Sequence, residues 1–342
     1  MNRPAIVPLI DLSNTIGSGA TLEARRETAA LIGQACQRSG FFAVRGHGIA
    51  EATIRAMYDA TRALFALPDD SKALLVTDLD DPLRRGFSRK TAVARSNDPG
   101  SRLAQIAGSS GITADPDDLC ETFSICAAAE RAGEADNPLV GRPNVWPDQP
   151  EIRAAWLAYA NELSSLAGEL MTLFAIALGL RATWFDYKIN NDISSLTANH
   201  YPAQAVPPLP GQIRKGEHTD WGSLTLLYQD GAPGGLQVLG FDGEWHDVPA
   251  IEGSFVVNVG DLMSVWTNDL WVSTAHRVVN PPPEQAGSER YSIAYFHQPS
   301  FDAEISCIPT CLPAGETPRY EPVTSGQYLF DKVARMHTPA NS

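Results

Sequence analysis

Apolar and polar positions divide the chain into three textures. IVPLIDLS (6–13) has the composition of a short edge strand, with prolines where no ladder donor is needed. Over residues 22–38, Leu22, Ala29, Ile32 and Cys36 recur near one face of a helix. FFAVRGHGI (41–49) predicts a strand closing on a glycine turn, and 50–66 a second amphipathic helix carrying Ile54, Met57, Leu64 and Phe65. Residues 68–147 are irregular and rich in Asp, Pro, Gly and Ser, too long for a plain loop in a compact domain. Short elements and a functional wall are expected there. The longest helix begins after Pro150 and runs to about residue 179, where Gly179 supplies a stop.

From residue 196 the texture changes to short β-rich runs separated by turn residues: LTANHY, SLTLLYQ, GLQVLG, EWHDVP, SFVVNV, LMSVWT, AHRVVN and RYSIAYF. Asp242-Gly243 between two of them is a hairpin signal. So many short strands in sequence predict a sandwich or jelly roll. Residues 322–337 complete the chain as a final helix or tail. The expected fold is mainly β with α, a jelly-roll core flanked by N-terminal and central helices. It is expected to work as one catalytic unit over residues 1–342. Residues 1–195 form a helical region whose strands join the core, 196–300 the core with its site, and 301–342 a C-terminal extension.

Composition narrows the partners. The chain has 342 residues, 44% hydrophobic and 19% charged, enough for a large core. Its formal charge of −14 lacks the basic field that draws proteins to nucleic acid or anionic lipid. A small molecule is the expected partner, and a monomer or homodimer the expected state. The five cysteines (Cys36, Cys120, Cys126, Cys307 and Cys311) form no CxxC pair. Free thiols in a reducing cytoplasm follow. The N-terminus has no uninterrupted apolar signal segment, and LMTLFAIALGL (170–180) is about half the length of a membrane span.

Candidate chemistry centres on GEHTDWGSLTLL (216–227). If this stretch is a strand, His218 and Asp220 point the same way and Thr219 opposite. Two ligands need a third, and the other histidines are His47, His200, His246, His276, His297 and His337. His276 stands out, because it opens a β-rich run far enough along the chain to have passed through several strands and returned. Two imidazoles and a carboxylate on one side of a metal leave the opposite positions open, which suits non-haem Fe(II) that must also bind a co-substrate and O2. The next run, RYSIAYF, puts Arg290 and Ser292 on one face with Ala294 and Phe296. An inward arginine on an apolar strand is costly unless it meets an anion, and a guanidinium beside a hydroxyl makes a carboxylate clamp.

HTD, AHRVVNP and RYS, in that order, resemble the HxD…H…RxS signature of Fe(II)/2-oxoglutarate-dependent oxygenases, and more narrowly the isopenicillin N synthase-like family. Nearly the whole chain takes part. VPLIDLS and GFFAVRGHGI match that branch's N-terminal region, and RRGF (84–87), ETFSI (121–125) and RPNVWP (142–147) its middle. ANHYP (198–202) and GGLQVL (234–239) match segments on either side of the HxD pair. The resemblance implies a double-stranded β-helix with Fe(II) held by His218, Asp220 and His276. It implies 2-oxoglutarate as co-substrate, its distal carboxylate on Arg290 and Ser292, with Tyr201 and Asn199 contributing. It implies a dioxygenase that uses O2, releases succinate and CO2, and hydroxylates, desaturates or cyclises a small molecule.

Three rivals stand beside this expectation. One is a 2-oxoglutarate-independent oxidase of the isopenicillin N synthase type, whose RxS pair holds the substrate's own carboxylate. The second is a non-catalytic binder on the same scaffold, and the third a zinc hydrolase using the same ligands. No residue beyond the metal ligands is expected to act as a general acid or base. Candidate substrate contacts are Arg85, Phe87, Phe123, Trp221 and Phe296.

Overall fold

The computed structural model describes residues 5–17, 19–76, 81, 83–89, 117–130, 137 and 139–337. Of the irregular stretch predicted over 68–147, residues 77–80, 82, 90–116, 131–136 and 138 lie outside that description. Twelve strands build two sheets: β1 (Leu9–Asp11), β2 (Phe41–Arg45), β3 (Gly86–Ser88), β4 (Glu121–Cys126), β5 (Ser195–Tyr201), β6 (Lys215–His218), β7 (Leu224–Gln229), β8 (Leu236–Leu239), β9 (Trp245–Asp247), β10 (Ser254–Val259), β11 (His276–Val278) and β12 (Arg290–His297). The larger sheet runs β1-β2-β10-β7-β12-β5-β4-β3 and the smaller β6-β11-β8-β9. The helices are α1 (Leu22–Arg38), α2 (Glu51–Phe65), α3 (Asp69–Ala73), α4 (Pro150–Ala177), α5 (Asp186–Ile189), α6 (Asp261–Trp266) and α7 (Ser325–His337). This is a jelly-roll core with α1, α2 and α4 packed on its larger sheet, as the alternation of textures predicts.

Strand pleating explains why one sheet serves two purposes. On β12, Tyr291, Ile293 and Tyr295 join the main core, while Arg290, Ser292 and Ala294 line the space between the sheets. The same division holds on β10, with Phe255 and Val257 on the core side and Asn258 on the other. The main core is the large sheet packed on α1, α2 and α4. Thr21 caps α1 by accepting from the amide of Ala24 at 3.1 Å. α4 starts with Pro150 in its first turn and stops before Gly179, which adopts φ +71°. Leu163, Leu170 and Phe174 of α4 are completely buried, and each contributes about 1.5–3 kcal/mol.

One sequence expectation changes. LMSVWT, predicted as a β-rich run, is helix α6, with all of Leu262 to Trp266 buried. Tertiary burial overrides local preference there. The Asp242-Gly243 turn does close a hairpin, between β8 and β9, with Gly243 at φ +80°. No helix among the described residues is long and apolar enough to cross a membrane.

Candidate active site

Strand β6 ends on His218 and β11 begins on His276, and these two face each other in antiparallel register. Their ring centroids are 4.2 Å apart. Asp220 is not on the strand, which corrects the pleat-based expectation for this pair. It lies in the turn two residues beyond β6, and the turn swings its carboxylate back towards the histidines. That turn is clamped at the start of α6. The amide of Asp261 donates to the carbonyl of Asp220 at 2.8 Å, and that of Leu262 to the carbonyl of Trp221 at 3.3 Å. Gly222 permits the close approach, since a Cβ there would stand 2.4 Å from the carbonyl oxygen of His297.

The three side chains each offer one donor atom, all within 4.8 Å of one another. Asp220 Oδ1 is 3.7 Å from His276 Nε2. Each histidine donates its other nitrogen to backbone: His218 Nδ1 to the carbonyl of Gly216 at 2.8 Å, and His276 Nδ1 to that of Thr274 at 3.1 Å. This tautomer leaves both Nε2 lone pairs available. Asp220 Oδ2 accepts from the Thr225 hydroxyl at 2.6 Å and from Asn258 Nδ2 at 2.7 Å, so Oδ1 remains for a metal. Burial and the adjacent His276 push His218 down to about 3. Burial raises the Asp220 carboxyl, but His276, His218 and the two hydrogen bonds outweigh it and hold the group below the usual carboxylate range. A neutral His218 beside an ionised Asp220 suits the binding of a divalent cation.

The remaining described histidines are engaged elsewhere. His47 packs on Phe255, His200 stacks on Tyr291, His246 bonds Asp242, and His297 bonds Ser223. The side chain of His337 lies outside the description.

Beside the three donors is a pocket of about 40 Å³ lined by Asn199, Tyr201, Lys215, Arg290 and Ser292. Strand pairing puts Arg290 opposite Tyr201 and Ser292 opposite Asn199. The Ser292 hydroxyl is 3.4 Å from Asn199 Nδ2 and 3.5 Å from the Tyr201 hydroxyl. Arg290 lies over the Tyr201 ring and donates from Nη2 to Gln229 Oε1 at 2.8 Å. Its Nη1 is buried with no hydrogen-bond partner among the described residues. An unpaired guanidinium nitrogen costs energy unless an acceptor completes it, and a carboxylate fits that role.

A second cavity of about 200 Å³ meets this pocket at Lys215, His218, Asp220 and Phe296. Trp221, Phe296, Leu83, Arg84 and Leu329 also line it, as do the hydroxyl-bearing Thr122, Ser124, Ser195 and Thr197. Of the five substrate candidates, Trp221 and Phe296 are here. Arg85 is not: it is buried in an ion pair with Asp81, Nε to Oδ2 at 2.7 Å, and bonds the carbonyl of Arg142. Phe87 and Phe123 face each other across β3 and β4 on the core side, and Phe123 packs on Trp156. The opposite pleat of β4, Thr122 and Ser124, forms the cavity wall.

Sequence reasoning also passed over Thr225, Asn258 and Lys215, whose Nζ bonds Asn199 Oδ1 at 3.0 Å. A signal was present: Thr225 and Asn258 are polar residues at inward positions of largely apolar strands, the criterion that singled out Arg290.

Two imidazoles and a carboxylate at the mouth of a jelly roll, next to a cationic pocket, define the class of mononuclear non-haem iron enzymes. Comparison with known proteins narrows that class. The pattern of the 2OG-Fe(II) oxygenase superfamily matches residues 193–299, and that of the non-haem dioxygenase in morphine synthesis N-terminal region matches 7–149. The chain is 33% identical to the 2-oxoglutarate-Fe(II) type oxidoreductase hxnY of Emericella nidulans, covering 94% of this chain and 87% of that protein. It is 31% identical to homoarginine-6-hydroxylase 2-ODD-233 of Oryza sativa subsp. japonica, covering 96% of each. A full-length Neurospora crassa protein, solved in complex with alpha-KG and thymine, superposes with a TM-score of 0.81 at 33% identity, covering 97% of each chain. The protein belongs to the 2OG-Fe(II) oxygenase superfamily and is an Fe(II)- and 2-oxoglutarate-dependent dioxygenase acting on a small molecule.

Proposed function

We propose that His218, Asp220 and His276 hold the Fe(II), and that Arg290 and Ser292, with Tyr201 and Asn199 behind them, anchor the distal carboxylate of 2-oxoglutarate. The observation that carries this reading is the buried Arg290 Nη1, unpaired among the described residues and lining the same pocket as the three donors. The iron, when bound, supplies the oxygen chemistry. The chain's own residues fix where it happens. The backbone carbonyls of Gly216 and Thr274 orient the two imidazoles, and Thr225 and Asn258 turn one carboxylate oxygen towards the metal. Lys215 and Arg290 bring two cations to a pocket where Asp220 is the sole acidic side chain among the described lining residues, which favours a dianionic co-substrate.

The substrate's place is the neighbouring cavity, with Trp221 and Phe296 as apolar contacts. Thr122, Ser124, Ser195, Thr197 and Gln298 offer hydroxyl and amide groups to a polar molecule. A small polar substrate is in keeping with a relative named for homoarginine and with the Neurospora crassa protein solved in complex with thymine. The N-terminal strands β1 to β4 join the same sheet as β5 and β12, which supports one catalytic unit over the whole chain. The charge of −14 supports a diffusing small molecule rather than nucleic acid or membrane, with a monomer or homodimer sufficient. All five cysteines are free, which supports a reducing, cytoplasmic setting.

The test is a pair of variants. His276→Ala should lose Fe(II) binding in an anaerobic titration and lose succinate release. Arg290→Ala should bind Fe(II) as before and weaken 2-oxoglutarate by about 30- to 1,000-fold, since truncating one partner of a buried charged pair costs about 2–4 kcal/mol. Retained metal in the first variant, or an unchanged 2-oxoglutarate affinity in the second, would refute the assignment.

A further inference from the structure

We propose that Leu236 sets the length of the 2-oxo diacid this enzyme accepts, by closing the co-substrate pocket against a larger cleft behind it. The inference rests on the reading of Arg290 and Ser292 as the co-substrate clamp. The pocket of about 40 Å³ and a cleft of about 560 Å³ share two lining residues, Leu236 and Arg290. Turn residues frame the cleft, among them Gly231, Pro249 and Pro281.

Leu236 opens β8 opposite Val278 of β11 and is 3% exposed. It belongs to one apolar cluster with Phe41 and Leu227, which line the inner pocket, and Val248, which lines the cleft. At Leu236 the partition between the two spaces is therefore one side chain thick. Arg290 spans the same boundary. Its Nη2 is held by Gln229, a cleft residue, while Nη1 has no partner among the described residues. A diacid one methylene longer than 2-oxoglutarate has to carry its far carboxylate past the clamp and into the space Leu236 fills. Trimming Leu236 joins the spaces and leaves Arg290 at the junction to receive that carboxylate.

The test uses the Zn(II)-loaded full chain, titrated calorimetrically with 2-oxoglutarate and with 2-oxoadipate. The unaltered protein should prefer 2-oxoglutarate by about 10- to 200-fold, the range for one methylene in a closed pocket. In Leu236→Ala the preference should shrink to a few-fold, by tighter 2-oxoadipate binding as well as weaker 2-oxoglutarate binding. Leu236→Val is a milder change that keeps the apolar partition and should fall between. If Leu236→Ala does not fold, Leu236→Val decides alone. Equal affinities in the unaltered protein, or an unshifted ratio in the folded variants while 2-oxoglutarate still binds, would overturn the role of Leu236. Failure of the unaltered protein to bind 2-oxoglutarate, or unchanged binding in Arg290→Ala, would instead remove the clamp reading and the inference with it.

Discussion

The metal end of the site and the wall of the cavity proposed for the substrate are built in opposite ways. At the metal end every donor side chain has a second bond that fixes it. His218 and His276 are tied to backbone carbonyls, and Asp220 to Thr225 and Asn258. The turn carrying Asp220 is itself stitched to α6. The cavity wall has less of this: Ser124 and Thr197 bond each other at 2.8 Å, and Trp221, Phe296 and Leu329 contribute shape. One end is over-determined because a donor displaced by about 1 Å no longer binds metal well. The other is an array of side chains on opposed pleats, which can be replaced without disturbing the backbone. Such a division lets one scaffold keep its chemistry and change its substrate.

The largest effect that tests this difference is expected at Asn258. Its Nδ2 is one of two donors holding Asp220 Oδ2, and the residue is buried near the C-terminal end of β10. Asn258→Ala should lower metal affinity about 10- to 100-fold, the usual result of removing a group that orients a metal ligand. Competition with a chelating dye would measure it without turnover. Asn258→Asp should not restore the affinity, because it sets a second carboxylate against Asp220. Unchanged metal binding in Asn258→Ala would mean that Thr225 alone holds the ligand, and that the metal end is less constrained than its hydrogen bonds indicate.

The same contrast explains what could be read along the chain. His218, Asp220, His276, Arg290 and Ser292 were legible because each is a polar residue that a buried strand or turn tolerates only with a partner. The spacing of the short runs was enough to predict the jelly roll. Period two also divided β12 between core and site. The pleat did not explain Asp220, because a turn after His218 does that work. Nor did sequence place the cavity wall. Phe87 and Phe123 drew attention as large aromatics, yet they face the helices, and the wall is the less conspicuous Thr122 and Ser124 on the other pleat. Which face of β4 meets the site depends on its pairing with β5, a long-range register that local pattern does not carry. Arg85 lies outside that wall for a local reason: Asp81, four residues earlier, is its buried ion-pair partner.

A smaller effect is expected in that wall. Thr197→Val keeps the shape of the side chain and removes its hydroxyl, leaving Ser124 without its partner. Affinity for metal and for 2-oxoglutarate should remain at the unaltered values. Succinate release stimulated by small polar molecules should fall about 2- to 10-fold for those that bond this hydroxyl, in line with the net worth of one hydrogen bond. A loss of metal binding of similar size would show that the wall and the metal end are not independent.

The smallest expected effect concerns His297, beneath the turn that carries Asp220. Its Nδ1 is 2.6 Å from the Ser223 hydroxyl, and that hydroxyl is 3.0 Å from the carbonyl of His297 itself. Both contacts are satisfied when neutral His297 donates from Nδ1 and Ser223 donates to the carbonyl. Burial lowers the pKa of His297, with Asp192 pulling it part of the way back. The unfolded chain takes up this proton near pH 6.5 and the folded chain only at lower pH. Stability of the metal-free protein should therefore be unaffected above about pH 6.5 and fall as pH drops below it. His297→Asn keeps a donor near the Nδ1 position and removes the titration. Its melting temperature should start lower at pH 7.5 but decline less between pH 7 and pH 5. His47 and His218 are common to both proteins and cancel in the difference. Parallel decline would show that the folded chain protonates His297 as readily as the unfolded one, and that burial does not lower its pKa.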